Sequence, residues 1–425
     1  MRRAVVVGSG AGGAAAASGL AGRFEVTILE AGGEFRPFRA RFGAVEIAKR
    51  AGLLFDVREI RFLFPAMRAF RAREGMVMVK GRGTGGTTTI AVGNGLRLDR
   101  DLKDIGLDLD EEFARLGREV PVTTAHRSRW SRTTRLLFDE MERMGLGPEA
   151  TPKMGRFEAC AMCGRCILGC PRGVKWDSRA LLAEAASRGA TLRTRTPVER
   201  VVIKGGEAVG VEIRAGHRRR FLPADVVLIA AGGFGTPPLL DRSGITCERR
   251  LFVDPVLCVA ARRKGARQDR DLLMPFFVRR DGYIISPYFD PLSYFFNRDW
   301  RPPAGDILSL MIKLADEPEG RAEGRGVSKP LTAADTRRLA EAADLCREVL
   351  GRLGTREEEL FFGTLNAGHP GGSLPLRRET AASLHDPRLP GNLYVADASL
   401  LPRSLGAPPI LTIMALARRV ARLCA

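Results

Sequence analysis

AVVVGSGAGGAAAASGLAGRFEVTILE, residues 4–30, decides the fold. The apolar run over 4–7 reads as a buried strand, GSGAGG over 8–13 as a turn, 14–22 as a helix of small residues, and 25–29 as a second strand that ends on Glu30. A GxGxxG spacing is weak evidence alone. Here it stands between a strand and a helix, with an acid closing the next strand, which is the setting a dinucleotide needs. Gly8 permits the tight turn, Gly10 lets the backbone approach a pyrophosphate, and Gly13 brings helix and strand together. The helix N-terminus stabilises phosphate charge, and Glu30 is placed to accept hydrogen bonds from an adenosine ribose. The competing reading is a glycine-rich turn with a structural role only.

Further along, KGRGTGGTT (80–88) forms a second glycine-rich run, containing Arg82, Gly83, Gly85, Gly86 and Thr87. One dinucleotide site rarely needs two such loops unless the cofactor is long, as FAD is. DVVLIAAGG (225–233) reads as a buried strand ending at Ala231 and Gly232, and NLYVADAS (392–399) precedes an apolar helix from about 409 to 423. Pro409 suits the first turn of that helix. The cofactor elements lie at both ends and in the middle of the chain, so the domains must be interleaved. We assign 1–100, 155–245 and 365–425 to a dinucleotide-binding domain with a cysteine-rich insert at 158–175, and 101–154 and 246–364 to a substrate domain. Residues 250–315 are strand-like, with a hairpin turn at Asp281-Gly282, and Thr332 to Asp335 forms a capping box opening a helix that runs to about Arg352. The fold class is α/β: a Rossmann-like domain interleaved with an antiparallel-sheet domain that could wall a substrate pocket.

The 425 residues suffice for two domains. No window of about 18 apolar residues exists to span a membrane. The apolar start runs directly into the first strand, unlike a secretory leader, so a cytoplasmic protein is expected. The net charge of +19 fits a solvated basic surface, an acidic protein partner, an anionic substrate or a peripheral contact with an anionic membrane. Residues 36–73 mix Arg with Phe, Leu and Ile, as a membrane-touching segment or a lid over a cofactor would. No nucleic-acid motif accompanies the charge, so nucleic acid is not expected as a partner.

Taken in order, GSGAGG with Glu30, GRGTGGTT, DVVLIAAGGFGTPPLLDRSG, GTLNAGHPGG and NLYVADASLLPRSLGAPPILTIMALA resemble the landmarks of the glucose–methanol–choline (GMC) oxidoreductases, a family of FAD enzymes. The resemblance covers most of the chain. It implies that Asp397 and the backbone after Ala407, including Pro408 and Pro409, contact the flavin, with the last helix aimed at its pyrimidine edge. It also implies that His369 is the base taking a hydroxyl proton from a CH–OH substrate while hydride goes to the flavin; a histidine suits that task because its ordinary pKa lies near working pH. Two departures stand out. Pro408 occupies a position where the family normally has Asn or His, and Ala91, with Asn94 nearby, replaces the usual Asn beyond the second glycine-rich loop. They leave open an unpartnered base, an unusual substrate, a reductase, or an electron-transfer subunit without substrate chemistry.

Four of the eight cysteines fall within eleven residues: Cys160, Cys163, Cys166 and Cys170, followed by Pro171. This is the spacing of the bacterial ferredoxin run. Either all four hold one 4Fe–4S cluster, or three do with a remote ligand, or the cluster is 3Fe–4S. A zinc knot, disulfides and inert thiols are the alternatives. The bacterial sugar-dehydrogenase branch of the family has a similar cysteine-rich segment ending in CP that holds an iron–sulfur cluster. Lys175 reads either as a residue that tunes a cluster or as a surface lysine. A dehydrogenase delivering single electrons to an acidic carrier, a ferredoxin or cytochrome, or to a partner subunit would need such a centre; an oxidase would not.

Overall fold

The computed structural model describes every residue except 39–41, 54–55, 217, 325 and 425, so parts of the arginine-rich 36–73 segment lie outside the described residues. Its nucleotide-binding half is a five-stranded parallel sheet in the spatial order Leu393–Val395, Val226–Ile229, Arg3–Val7, Glu25–Leu29, Thr191–Arg193. The strands come from the beginning, middle and end of the chain. Val226–Ile229 is buried along its whole length, as a parallel strand covered on both faces must be. The first helix, Ala11–Leu20, begins three residues earlier than the small-residue pattern suggests. Gly12 and Gly13 belong to the helix because close packing admits nothing larger: a Cβ on Gly12 would lie 1.8 Å from the Ala396 carbonyl oxygen, and one on Gly13 2.0 Å from that of Gly8. The C-terminal helix, Ile410–Leu423, packs on this helix, and Pro409 stands at its N-cap, just before the first turn.

A nine-stranded, mainly antiparallel sheet makes the other half. The hairpin at Asp281-Gly282 forms as expected: Arg280 pairs with Tyr283, and Gly282 takes φ +77°. Thr332 accepts from the Asp335 amide at 3.1 Å while Asp335 accepts from the Thr332 amide at 2.9 Å. This box opens the helix Ala333–Arg352, whose Ala342, Cys346, Val349 and Leu350 pack on the sheet. Met67–Arg71 and Val77–Gly81, placed by sequence in the nucleotide-binding part, join this second sheet because Asn366–Ala367 pairs with Val77 and Met78. The substrate side of the molecule thus recruits residues from within 1–100 and 365–425. No described helix is long and apolar enough to cross a membrane.

Candidate active site

The two glycine-rich loops meet where the first strand ends. A Cβ on Gly86 would lie 2.9 Å from Gly10 Cα, so Gly86 does not accept a side chain. Glu30 is buried and staples the loops. It accepts from the Ser9 amide at 3.3 Å, the Ser9 hydroxyl at 2.5 Å, the Gly32 amide at 2.7 Å and the Gly83 amide at 3.2 Å. Those four donors fill the acceptor sites of a carboxylate, so a ribose hydroxyl must displace or share one of them. Gly8, Gly10 and Ala11 are only half-buried at the helix N-terminus, which leaves backbone N–H groups for a pyrophosphate. Gly85 is buried, Thr87 accepts from the Gly81 amide at 3.2 Å, and Arg82 is exposed on the rim, reaching the Ala31 carbonyl at 3.4 Å. The residues fit a long dinucleotide. Glu30→Ala is expected to weaken FAD binding about tenfold or more, the worth of charge-assisted hydrogen bonds, as read by flavin release on dilution.

Ala231 and Gly232 open the turn after the fourth parallel strand in sequence. The Gly232 amide donates to Asp397 Oδ2 at 2.8 Å, the Thr236 hydroxyl to the same oxygen at 2.5 Å, and the Ser399 amide to Oδ1 at 2.8 Å. The Asp397 carboxylate is therefore spent on holding this turn, and burial pushes its pKa up; what it offers a flavin is backbone. The loop carrying His369 wedges against the same turn, since a Cβ on Gly233 would lie 2.2 Å from the Pro370 carbonyl oxygen. Nucleotide turn and His369 loop are thereby held rigidly together.

His369 opens into a cavity of about 170 Å³ lined by Phe64, Ile90, Ile167, Leu168, Phe295 and Phe296, among others. Phe38, Val45, Ile60 and Met67, described residues of the 36–73 segment, form part of its wall. Pro408 and Ile410 also face it. The C-terminal helix thus presents its N-terminus, with roughly half a positive charge, at the same place. Polar groups gather at one end by strand register: Val256 pairs with Lys313 on one side and Asn366 on the other, and His369 follows three residues after Asn366. Of the other histidines among the described residues, His126 is buried between Thr151 and Trp130, and His385 binds the Pro390 carbonyl.

Sequence reading missed what stands behind His369. Asp254, at φ +50°, places Oδ2 at 3.4 Å from His369 Nδ1 and 3.1 Å from Lys313 Nζ. Neither contact has ordinary hydrogen-bond geometry, so both Asp254 Oδ2 and His369 Nδ1 are orphaned and buried. Ser404 donates to the other carboxylate oxygen. Next to this group Lys329 pairs with Asp316 at 3.0 Å, both wholly buried, and Asp316 accepts from the Val253 and Asp254 amides. Burial alone would raise Asp254; Lys313, His369 and Ser404 outweigh it and hold the carboxyl below its usual range. Burial, with Lys313 close by, lowers His369, and Asp254 opposes this. The outcome is a neutral imidazole facing the cavity, with an anion behind it ready for the charge that protonation brings. The one visible hint in the sequence was a single lysine in the apolar strand ILSLMIKL.

The cysteine run borders a second cavity of about 750 Å³, with Cys160, Cys163, Cys166 and Cys170 all in its lining. Phe295 belongs to both cavities, and Ile167 and Leu168, inside the run, face the first. All eight cysteines are unpaired. Among the described residues, no three His, Cys, Asp or Glu side chains converge as ligands of a single metal ion. The Met162 amide points to Cys160 Sγ at 3.4 Å. Lys175 is buried rather than at the surface, only 4% exposed, and donates to the Thr88 and Thr89 carbonyls of the second glycine-rich loop at 2.9 and 3.0 Å. Lys153, fully buried, donates to Asn94 Oδ1 at 2.5 Å and the Leu273 carbonyl at 2.7 Å. Asn94 therefore borders the first cavity with its carbonyl already engaged.

Residues 4–258 match the family model described as GMC oxidoreductase. An uncharacterized GMC-type oxidoreductase of Mycobacterium tuberculosis is 29% identical over an alignment covering 98% of this chain and 75% of that protein. A long-chain-alcohol oxidase of Arabidopsis thaliana is 23% identical, with 65% and 47% covered. The crystal structure of pyridoxine 4-oxidase from Mesorbium loti has a TM-score of 0.73 and 17% identity over 99% of both chains, a likeness of fold.

Proposed function

The chain belongs to the GMC oxidoreductase family and is an FAD-dependent oxidoreductase of alcohol-type substrates; we propose that its own substrate is a small apolar alcohol, and that electrons leave singly through an iron–sulfur cluster on Cys160, Cys163, Cys166 and Cys170 to an external carrier. The observation that carries the substrate reading is His369 in a largely apolar cavity. FAD, when bound, supplies the hydride acceptor. The hydroxyl proton passes to His369 Nε2, because Nδ1 faces Asp254, and Asp254 stabilises the imidazolium that forms. The apolar walls orient the carbon chain and exclude water. Pro408 offers no side-chain donor, so the polar side chains of the lining that can orient the hydroxyl include His369 itself, Asn366, Tyr288 and Thr87. A relative named as a long-chain-alcohol oxidase agrees with an apolar substrate.

Three facts support the cluster. Four thiols border one cavity at the ferredoxin spacing. None of the four thiols is tied up in a disulfide, so all are free to serve as ligands. The cavity also shares the Phe295 wall with the alcohol cavity, a position suited to one-electron exit. Arg172 and Arg270, both exposed, border it with Arg165, and such a rim suits an acidic carrier.

Iron, sulfide and FAD quantitation on anaerobically purified protein, followed by a series of primary alcohols with an artificial one-electron acceptor, tests both halves. We expect FAD together with equimolar iron and sulfide. We also expect kcat/KM to rise about fourfold per added methylene until the cavity is full, the worth of about 0.8 kcal/mol for each buried CH₂. FAD without sulfide removes the cluster and leaves an oxidase or reductase with structural cysteines. A preference for polyols removes the apolar substrate.

A further inference from the structure

Two buried lysines near the cysteines make no ion pair among the described residues. Lys153 has only neutral acceptors: the Asn94 side-chain carbonyl and the Leu273 and Val92 backbone carbonyls. Lys175 has only the Thr88 and Thr89 carbonyls. Neither lies within ion-pair distance of a carboxylate among the described residues, although the other two fully buried lysines do: Lys313 is paired with Asp254 and Lys329 with Asp316. An uncompensated ammonium in a protein interior is costly, so an anionic neighbour would favour the charged form of both. Local structure puts them on the same face. The Arg156 amide donates to Val174 and the Trp176 amide to Met154, with Gly155 opposite Lys175. Because side chains alternate along an extended chain, Lys153 projects with Gly155, alongside Lys175. Gly155 supplies no side chain, and one would lie 2.2 Å from the Val174 carbonyl oxygen. Lys175 lines the cavity bordered by all four thiols; Lys153 lies within electrostatic reach of Cys160 and Cys166, and Lys175 of Asp177, Cys166 and Cys170.

We propose that Lys153 and Lys175 are built-in countercharges for an anionic, thiolate-ligated iron–sulfur centre in the cysteine cavity, and that they set its reduction potential. This inference rests on the cluster reading above and adds the charge of the centre and the residues that hold it. Lys175 has a second consequence. It binds the Thr88 and Thr89 carbonyls in the loop that also carries Gly85, Gly86 and Thr87, so it ties the wall of the cysteine cavity to the nucleotide cradle. A reduced centre held there would carry one more negative charge, and Lys153 and Lys175 as fixed cations beside it would favour that form. Removing the cation must lower the potential.

The test uses Lys153→Met and Lys175→Met in the full chain, each prepared with and without reconstituted iron and sulfide. Two readouts other than activity apply. The midpoint potential of the centre, from a spectroscopically monitored redox titration, should fall in each variant and fall further in the double variant. Thermal stability should change with opposite signs in the two forms: each substitution should raise Tm of the metal-free protein, where the lysine is an unpaired buried charge, and lower Tm of the loaded one. A lysine serving only as a packing element would shift both forms the same way. Full iron and sulfide content with unchanged potentials and same-sign Tm shifts overturns the countercharge role and leaves the cluster standing. If the wild-type chain takes up no iron and sulfide, the cluster reading fails and this inference with it. If a variant does not fold, comparison of loaded and metal-free wild type decides: equal Tm values in the two forms would overturn the countercharge.

Discussion

His369→Ala is expected to lower kcat for an apolar alcohol by about a hundredfold to ten-thousandfold, the usual range for a lost general base, while FAD content stays at the wild-type level. The separation follows from position. The imidazole reaches the cavity, whereas the nucleotide cradle is held by Glu30, Ser9 and the two glycine-rich loops on the other side of the Gly233–Pro370 contact. The pH profile gives a second and sharper readout. Burial and Lys313 place the His369 pKa below its ordinary value of 6.5. A base works only when unprotonated, so the rate should rise with pH along an acid limb centred below that value and be flat through neutrality. Lys313→Met removes the nearby cation and leaves Asp254 facing His369 alone, which favours the imidazolium; the acid limb should move to higher pH. A wild-type acid limb above the ordinary histidine value, or a His369→Ala enzyme with unaltered kcat, would sink the assignment of the base.

Much of this architecture can be read locally. The first βαβ unit, the hairpin at Asp281-Gly282 and the capping box at Thr332 each depend on residues a few positions apart, so spacing alone specifies them. The interleaving of strands could be inferred because each carries its own glycine signature. The buried ion network behind His369 has no such signature. Asp254, Lys313, Asp316 and Lys329 are ordinary charged residues scattered over 76 positions of sequence; they meet through the pairing of Val256–Arg262 with Ile307–Leu314 and the contacts of the residues that follow it. Lys153 and Lys175 were equally unreadable, because an isolated lysine in a polar segment is normally solvated. Lys175 was open between a tuning role and the surface, and its burial beside the glycine-rich loop removes the surface reading. The start of the first helix was misplaced for a related reason: a glycine reads as turn until the close approach of Ala396, far along the chain, makes it a packing residue.

Cys166→Ala is expected to abolish electron delivery to a one-electron carrier while alcohol-dependent bleaching of the flavin persists. Of the four cysteines in the run, Cys166 faces both buried lysines. As a free thiol it has little chemistry to offer: burial pushes its pKa up to about 12, so at neutral pH it stays protonated and a poor nucleophile. If the run is merely structural, removing one small sulfur should cost only stability, as for Cys258 and Cys346, which are buried outside the run and likewise pushed up by burial. If the four thiolates hold a cluster, removing one breaks the ligand set, and iron, sulfide and their broad visible absorbance should drop together. Cys346→Ala is the matched control, since it removes an equally buried thiol from the back of the antiparallel sheet; it should lower Tm yet keep iron and carrier-linked turnover. The two half-reactions separate the sites physically, because His369 opens into the first cavity and the four thiols line the second, with Phe295 bordering both. A Cys166→Ala protein that reduces the carrier as fast as wild type would show that electrons leave by another route.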